Sequence, residues 1–199
     1  MTNPQTYKRI PALRFPEFIN DGEWEVKRLG EIIVTISPPK KLQSNEYQKV
    51  GKYPIVDQSK DYICGYSNDE SALLNMSSEE MIVFGDHTCI LKFVDFPFIQ
   101  GADGIKIIKS LNSDKWNERY IYQHLLFAPI VSTEYKRHFA ELKEKVLYFP
   151  KSIEEQKRIA ECLSSMDEMI VECNNKLEQL KSHKKGLMQQ LFVPLNGGG

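Results

Sequence analysis

Long apolar runs are missing from this 199-residue chain. No stretch approaches the ~20 consecutive apolar residues of a membrane-spanning helix, and Met1–Pro11 is polar with no hydrophobic signal core, so neither membrane insertion nor export is expected. An excess of charge is missing too. The 26 Lys+Arg and 27 Asp+Glu leave a formal charge of −1, so a polyanionic partner would have to be met by a local basic patch. Cysteine is scarce: Cys64, Cys89, Cys162 and Cys173 share no CxxC spacing, and the last two fall in a strongly helical segment. That argues against a disulfide framework or a zinc site and for four free thiols in a reducing cytoplasm.

Catalytic signatures are also absent. No glycine-rich cofactor loop follows a first strand, and no GxxxxGK[ST] phosphate loop occurs. Ser37-Pro-Pro-Lys40 superficially resembles the signature of amino-methyltransferases, but that motif needs an aromatic fourth residue to stack a flipped base, which Lys40 cannot do. Glu141-Leu-Lys143 matches only the tail of a common nuclease motif and lies in a predicted helix. No catalysis and no bound cofactor or metal are expected of this chain.

What is present divides at Pro150. Before it, residues 1–150 read as an α+β domain, a mixed sheet with helices, with strands expected at Tyr53–Val56, Tyr62–Tyr66, Met81–Phe84, Cys89–Val94 and Gly104–Ile108 and a strand-like run at Val146–Phe149. Helices are expected over Trp116–Ala128 and Thr133–Lys143. After the proline, Ser152 and Glu155 have capping-box spacing, and no Pro or Gly interrupts the helical pattern until Gly186. One helix of about 40 residues, roughly 60 Å, should fill residues 151–193, leaving 194–199 as a flexible tail.

That helix carries a countable seam. Ile159, Met166, Cys173, Leu180 and Leu187 recur every seven residues, and Leu163, Ile170, Leu177, Lys184 and Leu191 form a second series four residues behind. The alternation of three and four is the 3.5-residue period of a coiled coil, and only Lys184 breaks the stripe. A helix this long outreaches a domain of ~150 residues, whose radius of gyration is about 15 Å, so most of the seam requires a helix from a second copy or another protein.

The ends of the domain carry a family resemblance. Pro11-Ala-Leu-Arg-Phe-Pro-Glu-Phe18 followed by Gly22-Glu-Trp-Glu-Val-Lys-Arg-Leu-Gly30 resembles the opening of a target-recognition domain in type I restriction-modification specificity subunits. Pro150-Lys-Ser-Ile-Glu-Glu-Gln-Lys-Arg-Ile-Ala160, Asp167, Ile170 and Lys184-Lys-Gly-Leu-Met-Gln-Gln-Leu-Phe192 resemble the helical spacer that follows it. The resemblance implies a non-catalytic subunit that selects a sequence in double-stranded DNA. Its partners would be modification subunits that methylate adenine with S-adenosylmethionine and restriction subunits that use ATP and Mg2+. Members of this family commonly have two recognition domains and two antiparallel spacer helices, whereas one of each occurs here, as in a half-length subunit or a fragment. A twofold dimer would rebuild the missing half and read inverted half-sites.

Three loops offer DNA-contacting groups. Gly85-Asp-His-Thr88 resembles a loop found in one class of these domains, and His87 and Thr88 would bond a base edge or phosphate; the competing reading is a tight turn closed by Asp86 and Thr88. Lys40, Lys41, Gln43, Asn45, Lys49, Lys52, Gln58, Ser59 and Lys60 lie in loops beside Tyr53 and Tyr62, and Tyr62 is itself a candidate contact. The lysines suit phosphates, and the amides suit adenine, unless the loops are simply a solvated surface. Gln100 in Gln100-Gly-Ala-Asp-Gly104 is a third candidate. A stand-alone dimeric DNA-binding regulator and a protein-interaction scaffold are the alternative readings.

Overall fold

The computed structural model describes residues 9–75, 79–102, 104–131 and 137–193. Among these are eleven strands: β1 Glu25–Arg28, β2 Ile33–Ile36, β3 Lys41–Leu42, β4 Tyr53–Val56, β5 Gly65–Ser67, β6 Leu73–Leu74, β7 Met81–Gly85, β8 Leu91–Val94, β9 Phe98–Gly101, β10 Ile105–Ser110 and β11 Val146–Phe149. Three α-helices accompany them: α1 Glu118–Phe127, α2 Phe139–Lys143 and α3 Ile153–Leu191. The α+β class and the long C-terminal helix are as expected from the sequence.

The strands form three sheets. β1 pairs antiparallel with β11; β2-β10-β7-β8 is antiparallel throughout; and β3-β9-β4-β5, with β6 also on β9, has β3 and β4 both parallel to β9. Alternation along a strand sends neighbours to opposite faces. Val56 and Phe98 therefore join Met81, Val83, Val94, Ile105 and Ile107 in one core between the two larger sheets. Ile55 and Ile99, one residue along, meet Leu42, Tyr53 and Ala72 on the other face.

Some boundaries differ from expectation for identifiable reasons. The strand expected from Cys89 starts at Leu91, because Cys89 has φ 57° and closes a turn with its N–H on Gly85 O at 2.8 Å. The strand expected from Tyr62 starts at Gly65, since the Tyr62 hydroxyl is drawn to the Phe93 carbonyl. Asn117 caps α1 by accepting from Tyr120 N, which places the helix start at Glu118 and not Trp116. Within the span expected as a second short helix, residues 133–136 lie outside the described residues and α2 covers Phe139–Lys143. The tail 194–199 is likewise outside them.

At the start of α3, Ser152 Oγ accepts from the N–H groups of Glu154 and Glu155 at 3.1 and 3.3 Å, as a cap should. The reciprocal half of the expected capping box is replaced. Both oxygens of Glu155 are instead taken by Arg14 Nε and Nη2, each at 2.7 Å. A partner with two converging donors outcompetes a single backbone N–H for one carboxylate.

The chain falls into two compact units, Met1–Ile159 and Ala160–Gly199. α3 is 39 residues long, which at ~1.5 Å per residue is about 58 Å. Along it Ile159 is half-buried, while Leu163, Met166, Ile170, Cys173, Leu177, Leu180, Leu187 and Leu191 are exposed, from 42% at Leu163 to 75% at Leu191. No described helix is long and apolar enough to cross a membrane.

Candidate nucleic-acid interface

The parallel strands fix where the candidate loops emerge. β3, β9 and β4 all run the same way, with Lys41 and Val56 flanking Gln100 in register. Their C-terminal ends therefore open at one end of the sheet, into residues 43–46, 57–62 and Ala102. Gln43, Asn45, Gln58, Ser59 and Lys60 share this end. Lys40, Lys49 and Lys52 precede β3 or β4 and lie toward the opposite end, so the sequence-predicted group is divided in two.

The Gly85–Thr88 turn joins the first group. Thr88 Oγ1 donates to Gln58 O at 3.0 Å, and a Cβ on Gly104 would stand 2.8 Å from Gln58 Nε2 and 3.1 Å from His87 Cδ2. Gln58, His87 and Thr88 thus converge although 29 and 30 residues separate the first from the others (87 − 58 and 88 − 58). Asp86 is buried beneath them: its N–H donates to Gly104 O, its carbonyl accepts from His138 N, and its carboxylate accepts from Phe139 N. The turn is therefore tight, with Asp86 and Thr88 both bonded within the protein, while His87 stays only half-buried beside Gln58.

Glycine is required where the loops touch. Gly104 has φ 91°, a left-handed conformation, and a Cβ at Gly85 would press on Thr88 Oγ1 and approach Gln58 Cβ to 2.9 Å. Gly85→Ala should cost ~1–3 kcal/mol in chemical denaturation, the usual range for overpacking. A change below ~0.5 kcal/mol, the level of ordinary surface substitutions, would mean that the two loops are not locked together.

The remaining candidates are placed as follows. Gln100 is 2% exposed and its amide donates to Ala102 O at 3.4 Å, so it braces its own loop. Gln43 N–H donates to Glu46, closing a 3-10 turn over Ser44–Glu46 that exposes Asn45. Tyr62 is half-exposed; burial, the largest influence, with Asp95 nearby, pushes its phenol up to about 12. Lys41, Lys49 and Lys60 are exposed. Lys52 lies 4.8 Å from the Tyr53 ring centre, and Lys40 donates to Asp69 at 2.7 Å, holding that carboxyl down to about 2. That pair is solvent-exposed, so displacing it for a phosphate costs little.

Three residues that sequence reasoning passed over shape this end of the sheet. Tyr47 donates to Asp57 at 3.4 Å, Asp57 accepts from Ser59 N at 2.8 Å, and Lys92 lies buried alongside. A lysine within the apolar run Leu91–Val94 was the available signal. Among the described residues, no cluster of three or more His, Cys, Asp or Glu is placed to hold a metal ion.

Residues 21–182 match the family model of the type I restriction modification DNA specificity domain. The chain belongs to this family. Among curated relatives of the specificity domain, the chain is 26% identical over 194 residues to the EcoR124I/EcoR124II specificity subunit of Escherichia coli, covering 92% of this chain and 48% of that protein. It is also 26% identical over 207 residues to the MjaVIII specificity subunit of Methanocaldococcus jannaschii, with 95% and 45% coverage. The chain spans about half the length of these relatives. The type I S subunit from M. genitalium has the same fold, with a TM-score of 0.59 at 18% identity over 86% of this chain and 48% of that one. The HsdS subunit from Thermoanaerobacter tengcongensis shares it too, at TM-score 0.53 and 14% identity over 91% and 45%.

Proposed function

We propose that this chain is the DNA sequence-recognition module of a type I restriction-modification complex, non-catalytic itself, which directs adenine-methylating modification subunits and restriction subunits to their target. The observation that carries the reading is a specificity domain followed by a helix whose heptad seam is exposed. An apolar stripe exposed over this length calls for a partner helix. Two copies related by a twofold axis through the α3 seams would present two domains to inverted half-sites at a fixed spacing. S-adenosylmethionine, ATP and Mg2+ would then be used by the partner subunits.

The loops after β3, β4 and β9 supply the contacts. Exposed lysines there and at the opposite end neutralise phosphates, while Gln58 and His87, partly exposed on internally braced loops, address base edges. Selection from a randomised duplex library by the 199-residue chain should enrich an inverted repeat, with affinity falling steeply between 50 and 200 mM salt, as phosphate neutralisation requires. Enrichment of a single half-site would remove the twofold arrangement. A flat salt response with no enriched sequence would overturn DNA recognition and favour a protein-binding scaffold.

A further inference from the structure

The Asp57–Tyr62 segment is anchored from β8 at more points than chain closure needs. Lys92 of β8 is 4% exposed, donates to Asp61 O at 2.5 Å and stands 4.0 Å from Asp57 Oδ1. Asp57 accepts from Ser59 N inside the loop and from the Tyr47 hydroxyl outside it. Tyr62 donates to the carbonyl of Phe93, the next residue of the same strand, and Thr88 Oγ1 donates to Gln58 O. Both ends and the leading edge of the loop are therefore tied to one hairpin.

A buried ammonium is costly unless it is paired and hydrogen-bonded, and a strand core would take an apolar residue at no such cost. Burial lowers the pKa of Lys92, opposed by the charge of Asp57. Burial also opposes ionisation of Asp57, but hydrogen bonds from Ser59 and Cys64 and the charge of Lys92 prevail and hold its carboxyl below the ordinary value. Asp57 is thus held in its charged form 4.0 Å from Lys92, and the two groups that the Lys92 ammonium meets, the Asp57 carboxylate and the Asp61 carbonyl, both belong to the loop.

We propose that Lys92, acting through Asp57 and the Asp61 carbonyl, is a positioning residue that holds the Asp57–Tyr62 loop in the conformation from which Gln58 and Lys60 address DNA. The inference rests on the recognition reading above. Buried as it is, Lys92 does not touch the duplex. Hydrogen bonds to base edges are directional and fail when the loop wanders, whereas a long exposed lysine follows a phosphate through the same motion. Releasing the loop should therefore remove discrimination and leave non-specific affinity in place.

The test compares wild type, Lys92→Met and Asp57→Asn on the duplex enriched by the wild-type chain and on a shuffled duplex of equal composition. Lys92→Met should lower the selected-to-shuffled affinity ratio by about tenfold or more, the worth of one good base contact, while shuffled-duplex affinity stays within about twofold. Amide exchange at Ser59 should quicken in parallel. An unchanged ratio in the variant overturns the positioning role and leaves the recognition reading intact. A proportional fall on both duplexes means general unfolding and also overturns it. Should Lys92→Met not fold, Asp57→Asn carries the same comparison with the same criteria. If the wild-type chain enriches no sequence, the recognition reading falls and the positioning role with it.

Discussion

Replacing Leu163, Ile170 and Leu177 by glutamate is expected to abolish the proposed association through α3 without unfolding the domain. The three side chains are 42%, 58% and 48% exposed in the single chain, so none contributes much to its own core. In a twofold pair they become six buried residues. Full burial of such a side chain contributes ~1.5–3 kcal/mol, and about half of that is still to be gained at each, so six supply roughly 4–9 kcal/mol before the cost of burying carboxylates is added. A micromolar dimer rests on only ~8 kcal/mol, so the triple variant should not associate at any practical concentration. Sedimentation velocity gives the association state, and near-ultraviolet circular dichroism from Trp24 and Trp116, both in the first unit, reports the domain. Glu168→Lys with Asn175→Lys, on the opposite helix face in the same heptad frame, should leave association unchanged. A wild-type chain that sediments as a monomer and gains no partner from modification subunits would sink the assembly reading. A triple variant that loses its tryptophan signals would mean that the seam belongs to the domain core.

How far the fold was legible depends on which faces of each element are buried. β4 and β11 were placed to the residue because Tyr53–Val56 and Val146–Phe149 are short aromatic and β-branched runs beside turn residues. β9 was missed. All four residues of Phe98–Gly101 are buried between β3 and β4, so no polar alternation marks them, and they include a glutamine and a glycine. Gly101 is small because the Tyr47 hydroxyl occupies the space a Cβ would need. β3 and β6, two residues each, are too short for any period to register. β1, Glu-Val-Lys-Arg, is half-exposed along its length and is made a strand by its pairing with β11, in which Glu25 stands opposite Phe149, 124 residues on (149 − 25).

The candidate interface was legible as a set of residues and not as an arrangement. Turn chemistry and side-chain type picked out Gln58, His87 and Thr88, but their meeting is produced by long-range pairing: β4 beside β9, β9 leading into Gly104, and the β7–β8 turn folding onto Gln58. The same pairing separates Lys40, Lys49 and Lys52 from that cluster. Spacing along the chain carries no information about such crossovers. The helix seam was legible in full because a helix converts sequence spacing directly into a face.

Severing the Arg14–Glu155 pair should produce the largest loss of stability from a single substitution. The guanidinium and carboxylate side chains are 4% and 0% exposed, joined by two parallel 2.7 Å bonds, and Arg14 also donates to Gly22 O at 2.7 Å. Arg14→Met would strand a fully buried carboxylate, which costs ~3–5 kcal/mol, a large share of the ~5–15 kcal/mol that holds a domain together. At roughly 2–4 °C per kcal/mol for a chain of this size, the melting temperature should fall by ~6–20 °C. Glu155→Leu should cost a similar amount by stranding Arg14. The double variant should be less destabilised than the sum of the two, because neither charge is then left alone. Additive losses, or single losses below ~1 kcal/mol, would show the pair to be incidental. The consequence reaches beyond stability, because Arg14 sits in the N-terminal motif and Glu155 in the motif that begins α3. Arg158 repeats the link, 5.2 Å above the Phe15 ring and 3.8 Å from Glu17. The two sequence stretches that first suggested the family are thus one clasp, binding the start of the domain to the first turns of the helix.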